Sequence, residues 1–166
     1  SGRDQMRGVL LSSLPSNLNG SRVLDAGCGT GQIAFELAKR GAKVLGVDIS
    51  NNLINVAKDR MPSNLSDKIQ FRAGDMLSDK FGNFDYVVAM DSLIHYNVQD
   101  ITVALAKLAK NTSNSILFTI APKTALLSSF LILGKLLPRA DRSPRIMPVQ
   151  NSILNRQLKK NFILKQ

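Results

Sequence analysis

The stretch RVLDAGCGTGQIAFELAKRG, residues 22–41, decides the fold. Its first five residues are apolar and β-branched at Val23, the signature of a short buried strand. Asp25-Ala26-Gly27-Cys28-Gly29-Thr30-Gly31 then spells DxGxGxG, a turn in which glycines let the backbone reverse sharply and approach a ligand without Cβ clashes. From Gln32 onward, Ile33, Ala34, Leu37 and Ala38 fall on one helical face, and Gly41 is well placed just past the helix end. Strand, glycine turn and helix in this order form half of a βαβ unit.

Working outward, the same alternation repeats. Upstream, Met6, Val9, Leu10 and Leu14 recur at helical spacing until Pro15, which predicts an opening helix. Downstream, KVLGVD is a second strand. Ser50 can cap a helix carrying Leu53, Ile54 and Ala57 inward and stopping near Pro62. IQFRAGD, FDYVVAM and SILFTIA read as strands three to five, with a helix around Ile101, Ala104, Leu105 and Leu108 before the last. This is the pattern of an α/β, doubly wound, Rossmann-like sheet with helices on both faces. Ligands of such sheets bind beyond the carboxyl ends of the strands. A chain of 166 residues with 44% hydrophobic content has material for one such core.

The loops after the strands carry the chemistry. Asp25 offers a carboxylate to a cationic or hydroxyl-bearing group. A nicotinamide dinucleotide is one candidate, because Gly29-Thr30-Gly31-Gln32-Ile33-Ala34 satisfies the GxGxxA fingerprint. Asp48 closes the second strand 17 positions after Gly31, where an acid can accept ribose hydroxyls in either cofactor class. Asp75 and Met76, after strand three, add an acceptor for an adenine amino group beside an apolar side chain. Together with Asp25 facing an ammonium group, they favour S-adenosylmethionine. Cys28 is the only cysteine, so it has no disulfide partner in the chain, and no Pro-Cys pair marks it as a nucleophile. It reads as a packing residue.

This set of loops resembles the class I S-adenosylmethionine-dependent methyltransferases. After strand four the likeness sharpens. MDSLIHY (residues 90–96), GDML (74–77), FTIAPKT (118–124) and LPRADRSP (137–144) resemble the magnesium-protoporphyrin IX methyltransferases of chlorophyll and bacteriochlorophyll synthesis. The resemblance implies methyl transfer from S-adenosylmethionine to one porphyrin propionate, releasing S-adenosylhomocysteine and giving the monomethyl ester. It implies cofactor contacts at Gly27, Gly29, Gly31, Ile49, Ser50 and Asp91, with no metal ligated by the chain. It also implies a longer enzyme than these residues make up, with an arm before the first helix and two final strands after strand five. Magnesium protoporphyrin IX and the large subunit of magnesium chelatase are the partners expected from it. The expected location is the cytoplasm of a photosynthetic bacterium or a plastid, with peripheral contact to the photosynthetic membrane.

His95, the only histidine, lies in the loop beyond strand four, where the methyl acceptor must come. A propionate has a reference pKa near that of Glu, about 4.3, so it is already a nucleophile in neutral water. It needs positioning, and protection from the pKa rise an apolar pocket imposes. An imidazole that donates a hydrogen bond serves both needs, so His95, with Tyr96 beside it, is the expected catalytic pair.

The formal charge of +10 is uneven: residues 1–122 hold 13 basic against 11 acidic side chains, residues 123–166 hold 9 against 1. A tail this basic attracts nucleic acid, anionic membrane or an acidic small molecule, and an RNA methyltransferase is the alternative function it supports. The organisation expected is a cofactor-binding core over 1–122, a lid over 123–148 and a closing helix over 149–166. In the lid, Phe130 offers apolar surface to a flat macrocycle, and Arg139 and Arg142 stand as partners for its carboxylates; an apolar helix followed by a solvated basic loop reads equally well there. The apolar run ALLSSFLILGKLL is too short for the roughly 20 residues that span a bilayer.

Overall fold

Five parallel strands, β1 (Arg22–Ala26), β2 (Lys43–Asp48), β3 (Ile69–Ala73), β4 (Phe84–Ala89) and β5 (Thr112–Phe118), form one sheet in the order β3-β2-β1-β4-β5. The computed structural model describes residues 2–120. Within them, α1 (Gly2–Ser12), α2 (Gln32–Lys39), α3 (Asn51–Asp59) and α4 (Val98–Lys110) complete the alternation. The chain winds from β1 outward through β2 to β3, then returns to lay β4 against the other side of β1. Right-handed crossovers in opposite directions put α2 and α3 on one face and α4 on the other. The crevice between the carboxyl ends of β1 and β4 is the switch point where such sheets hold ligands.

Alternation along the strands divides the core. On one side, Val23 and Val44 pack with Ile33, Ala34, Leu37 and Ala38 of α2 and with Ile54 and Ala57 of α3. On the other, Leu24, Ala26, Leu45 and Val47 meet Ile101, Ala104, Leu105 and Leu108 of α4. Both layers exclude water nearly completely, with Val23, Ala34, Leu37, Val47 and Ile101 at 0% exposure. At about 25 cal/mol per Å2 of apolar surface, burial on both faces is the dominant force holding the sheet.

The helix ends follow from local chemistry. Ser50 accepts the Leu53 N–H through its hydroxyl and Asn97 accepts the Asp100 N–H through its amide oxygen, capping α3 and α4. Phe71 of β3 explains two glycines, since a Cβ on Gly31 would stand 2.6 Å from its ring and one on Gly46 also 2.6 Å. Phe35 of α2 meets the same ring edge-on at 6.0 Å between centroids, closing the layer.

The opening helix is present, and two other expectations, Leu53 turned inward and strand five beginning with its apolar run, are corrected. Met6 and Val9 are 46% and 64% exposed, and α1 buries Leu10 and Leu11, with Leu14 just beyond it. Only the C-terminal end of α1 reaches the core, where the Arg40 guanidinium donates to the Leu11 carbonyl at 2.6 Å. Leu53 is 38% exposed, because it lines the cavity at the carboxyl ends of the strands, and only Ile54 and Ala57 of α3 are buried. Strand five starts at Thr112, before the apolar run, because its first residues pair with the start of β4, Thr112 opposite Phe84. The lid and closing helix expected over 123–148 and 149–166 lie outside the described residues. No helix among the described residues is long and apolar enough to cross a membrane.

Candidate active site at the carboxyl ends of the strands

The glycine turn is stitched to the neighbouring strand before it reaches any ligand. The N–H groups of Gly27 and Cys28 both donate to the Val47 carbonyl, at 2.8 and 3.0 Å. Gly27 has φ +76, and a Cβ there would fall 2.4 Å from the Cβ of Ser92. Turn and β4 loop therefore touch across the switch point, and only glycine permits both the left-handed backbone and the contact. Gly27→Ala is expected to cost about 2 kcal/mol of stability or more in urea unfolding, from the left-handed strain alone about 1–2 kcal/mol. Ser92→Gly on that background should recover part of the loss.

Asp48, at the end of β2, is held from both sides. Its Oδ2 accepts the Gly29 N–H and its Oδ1 accepts the Ser50 N–H, each at 2.9 Å. Both oxygens keep a lone pair for a further donor. Beside it, Ile49 lines the cavity yet leaves 85% of its surface exposed. Asp75 turns one oxygen to the Leu77 N–H at 2.9 Å, and Met76 is buried beneath it.

Asp25 is 2% exposed, with Oδ2 accepting the Ala34 N–H in the first turn of α2 at 3.1 Å. Burial pushes its carboxyl up to about 7, the Ala34 N–H opposes that, and the Asp48 charge adds to it. The expected ammonium partner thus sits in the cavity wall with one oxygen already committed to α2. Cys28 is buried among the same acids, and desolvation followed by the charges of Asp25 and Asp48 pushes its thiol far up, away from the thiolate. That agrees with a packing role.

The DSLIHY loop forms the opposite wall. Leu93 plugs it into the α4-side core at 0% exposure, and the Tyr96 N–H closes the turn on the Leu93 carbonyl at 3.1 Å. Asp91 adopts φ +59, the one non-glycine left-handed residue among those described. Its N–H donates to the Thr119 hydroxyl at 2.8 Å, so the end of β5 fixes the turn. Arg3 of α1 donates through Nε to Asp91 Oδ2 at 3.0 Å, in an ion pair whose terminal nitrogen stands 2.9 Å from the same oxygen, and Arg7 donates to Gln32 and Asp4. The exposed half of α1 is thereby tied across the mouth of the site.

These parts enclose one cavity of about 800 Å3, lined by Asp25, Gly27, Gly29, Asp48, Ile49, Ser50, Asp75, Met76, Asp91, His95 and Tyr96. Every predicted site residue within 2–120 lines it except Gly31, which ends the turn behind Phe71. Phe130, Arg139 and Arg142 lie outside the described residues. Sequence reasoning missed Arg3, Arg7, Ser92 and Thr119. Thr119 was accessible to it, since β5 neighbours β4 and loops after adjacent strands meet; the α1 arginines carried no such signal. No group of three or more His, Cys, Asp or Glu side chains is placed to hold a metal among the described residues.

Comparison with known proteins agrees with this geometry. The Methyltransferase domain family matches residues 23–114, and the Magnesium-protoporphyrin IX methyltransferase C-terminus family matches residues 89–165. The chain is 57% identical over 147 residues to the magnesium-protoporphyrin O-methyltransferase of Rhodobacter capsulatus, covering 89% of this chain and 66% of that protein. It is 33% identical over 131 residues to the enzyme of the same name from Synechocystis, covering 78% and 56%. The crystal structure of magnesium protoporphyrin IX methyltransferase from Synechocystis PCC 6803 with bound SAH superposes with a TM-score of 0.75 at 29% identity, over 96% of this chain and 71% of that one. The chain thus spans between about half and two thirds of the curated relatives it matches. With a class I sheet, the cofactor loops in order, a general methyltransferase-domain match over residues 23–114 and the family's own C-terminal match over residues 89–165, the chain belongs to the magnesium-protoporphyrin IX methyltransferases.

Proposed function

We propose that this protein transfers a methyl group from S-adenosylmethionine to a propionate carboxylate of magnesium protoporphyrin IX. The observation that carries the reading is the single cavity joining the glycine turn and Asp48 to His95 and Tyr96. A cofactor held by the first pair would share one open cleft with an acceptor held by the second. The names of the relatives supply the identity of the acceptor.

The residues fit the cofactor. The glycine turn leaves a cradle that side chains would fill, and Ile49 is an exposed apolar platform beside a carboxylate placed for ribose hydroxyls. Asp75 and Met76 continue that wall toward β3, where an adenine would lie. Asp25 and Asp91 offer acids for an ammonium group. When bound, S-adenosylmethionine supplies an electrophilic methyl group. His95 donates a hydrogen bond to the propionate, keeping it ionised and aimed, while Tyr96 braces the loop against the α4-side core. The half of α1 tied to Asp91 and Gln32 keeps water from the mouth.

The same reading locates the protein in the cytoplasm of a photosynthetic bacterium or in a plastid, and the sources of the relatives support it. Receipt of the porphyrin from the magnesium chelatase large subunit, and peripheral contact with the photosynthetic membrane, belong to this proposal too.

Labelled methyl transfer to magnesium protoporphyrin IX by the whole protein tests the function, and absence of transfer despite cofactor binding would refute it. His95→Phe is expected to keep the affinity for S-adenosylhomocysteine and lower the transfer rate about a hundredfold, the lower range for loss of a positioned proton donor or base. A wild-type rate in that variant would make His95 a packing residue.

A further inference from the structure

Thr119 stands one residue past β5 and is buried, at 7% exposure. Its N–H donates to the Ala89 carbonyl at 3.2 Å, which carries the β4–β5 ladder beyond its last pair. Its hydroxyl then reaches two residues further along the β4 chain. The oxygen accepts the Asp91 N–H at 2.8 Å, and the O–H donates to Asp91 Oδ1 at 3.4 Å. Thr119 thus grips both the backbone and the side chain of Asp91 from a backbone that is itself fixed to Ala89. Asp91, His95 and Tyr96 line the cavity, whereas Thr119 does not, so any effect it has on the reaction is exerted through Asp91.

That grip falls where the chain leaves the sheet. Asp91 has φ +59, a left-handed conformation that a non-glycine residue keeps only where its surroundings impose it. Beyond it, Leu93 is anchored in the α4-side core, and the Tyr96 N–H closes the turn on the Leu93 carbonyl. Apolar packing is non-directional, so Leu93 fixes where the turn is held and leaves its tilt to be set by hydrogen bonds, which are directional. A change of φ at Asp91 pivots the turn on Leu93 and displaces His95 along the cavity wall. Resting on the function proposed above and deepening it, we propose that Thr119 is a positioning residue for methyl transfer, whose hydroxyl, through Asp91, sets where His95 and Tyr96 stand against the acceptor carboxylate.

The test uses the whole protein, labelled transfer to magnesium protoporphyrin IX with both substrates saturating, and calorimetry with S-adenosylhomocysteine. Thr119→Val keeps the shape and removes the hydroxyl, and should lower the saturated rate about tenfold, the scale expected of a sub-ångström misplacement. Affinity for S-adenosylhomocysteine should stay within about threefold of wild type, because Arg3 still holds the Asp91 carboxylate. Thr119→Ser restores the hydroxyl and should recover most of the rate. Thr119→Ala, in which water can reach the freed Asp91 N–H, carries the same expectation as Thr119→Val and serves in its place should that variant not fold. A wild-type saturated rate without the hydroxyl overturns the assignment, including the case in which only affinity falls. A loss that Thr119→Ser shares in full also overturns it, because side-chain shape would then matter and the hydroxyl would not. Wild-type protein that transfers no methyl group refutes the proposed function and this inference together, whereas an active wild type with an equally active Thr119→Val refutes this inference alone.

Discussion

Asp48→Ala is expected to lower the affinity for S-adenosylhomocysteine about a hundredfold or more, the largest single effect on cofactor binding in the molecule. Two contributions act together. On the proposed function, the carboxylate accepts charge-assisted hydrogen bonds from two ribose hydroxyls, each worth about 1.5–3 kcal/mol, and every 1.4 kcal/mol is about tenfold in affinity. It also organises the turn that must receive the ligand, through the Gly29 and Ser50 N–H groups at 2.9 Å each. Without it, those donors turn to water and the glycine turn must be reordered on binding, a cost subtracted from affinity. Asp48→Asn separates the contributions, since one amide oxygen keeps one of the two backbone donors while the charge is gone, and it should fall between Ala and wild type. Calorimetry at fixed salt is the measurement. A loss below threefold in Asp48→Ala would remove Asp48 from the site.

The elements that were legible in the sequence are those whose periodicity is dictated by burial on a known face. In α2, Ile33, Ala34, Leu37 and Ala38 are the buried residues, as their spacing predicts. β1 and β2 match their predicted spans because strands covered on both faces read as continuous apolar runs. The opening helix was legible as a helix but not as a face. Met6 and Val9 belong to the half of α1 that leaves the core and lies over the cavity, held by arginine contacts that no periodicity encodes. The same distinction holds at the site. Asp25, Asp48 and Asp75 could be expected along one cavity because each lies at or just past the carboxyl end of a strand, and the topology brings those ends together. Ser92 could not, because its meaning rests on Gly27, 65 positions earlier in the chain, standing directly against it. Asp91 lines the cavity, as the loop it occupies suggests, while its left-handed backbone and its Thr119 support emerge only from tertiary contacts.

Asp25→Asn should reshape the dependence of stability on pH and, at alkaline pH, make the free protein more stable than wild type by up to about 4 kcal/mol. The carboxyl rises from an ordinary 3.8 to about 7 on burial. The folded state therefore holds a proton that the unfolded chain releases as pH climbs from about 4 to about 7, and across that window wild-type stability falls with rising pH. Roughly three units at 1.36 kcal/mol each give the magnitude. Below pH 4 the acid is neutral in both states and costs nothing; above pH 7 it is a buried charge facing the Asp48 carboxylate. Asparagine is neutral throughout, and its amide oxygen can still accept the Ala34 N–H that Asp25 accepts at 3.1 Å. Urea unfolding should show the two proteins close near pH 3.5, separated by between about 1 and 2 kcal/mol at pH 5, and by about 4 kcal/mol at pH 8. A difference that does not change with pH would place the proton elsewhere. On the proposed function, the ammonium group of the cofactor would offset the burial of this charge. On that account Asp25→Asn, though more stable when free, binds S-adenosylhomocysteine more weakly at pH 8. Wild-type affinity should also rise between pH 6 and pH 8, as the carboxyl ionises, while the variant stays flat. Stability and binding moving in opposite directions on one substitution is a result that a purely structural role for Asp25 would not produce.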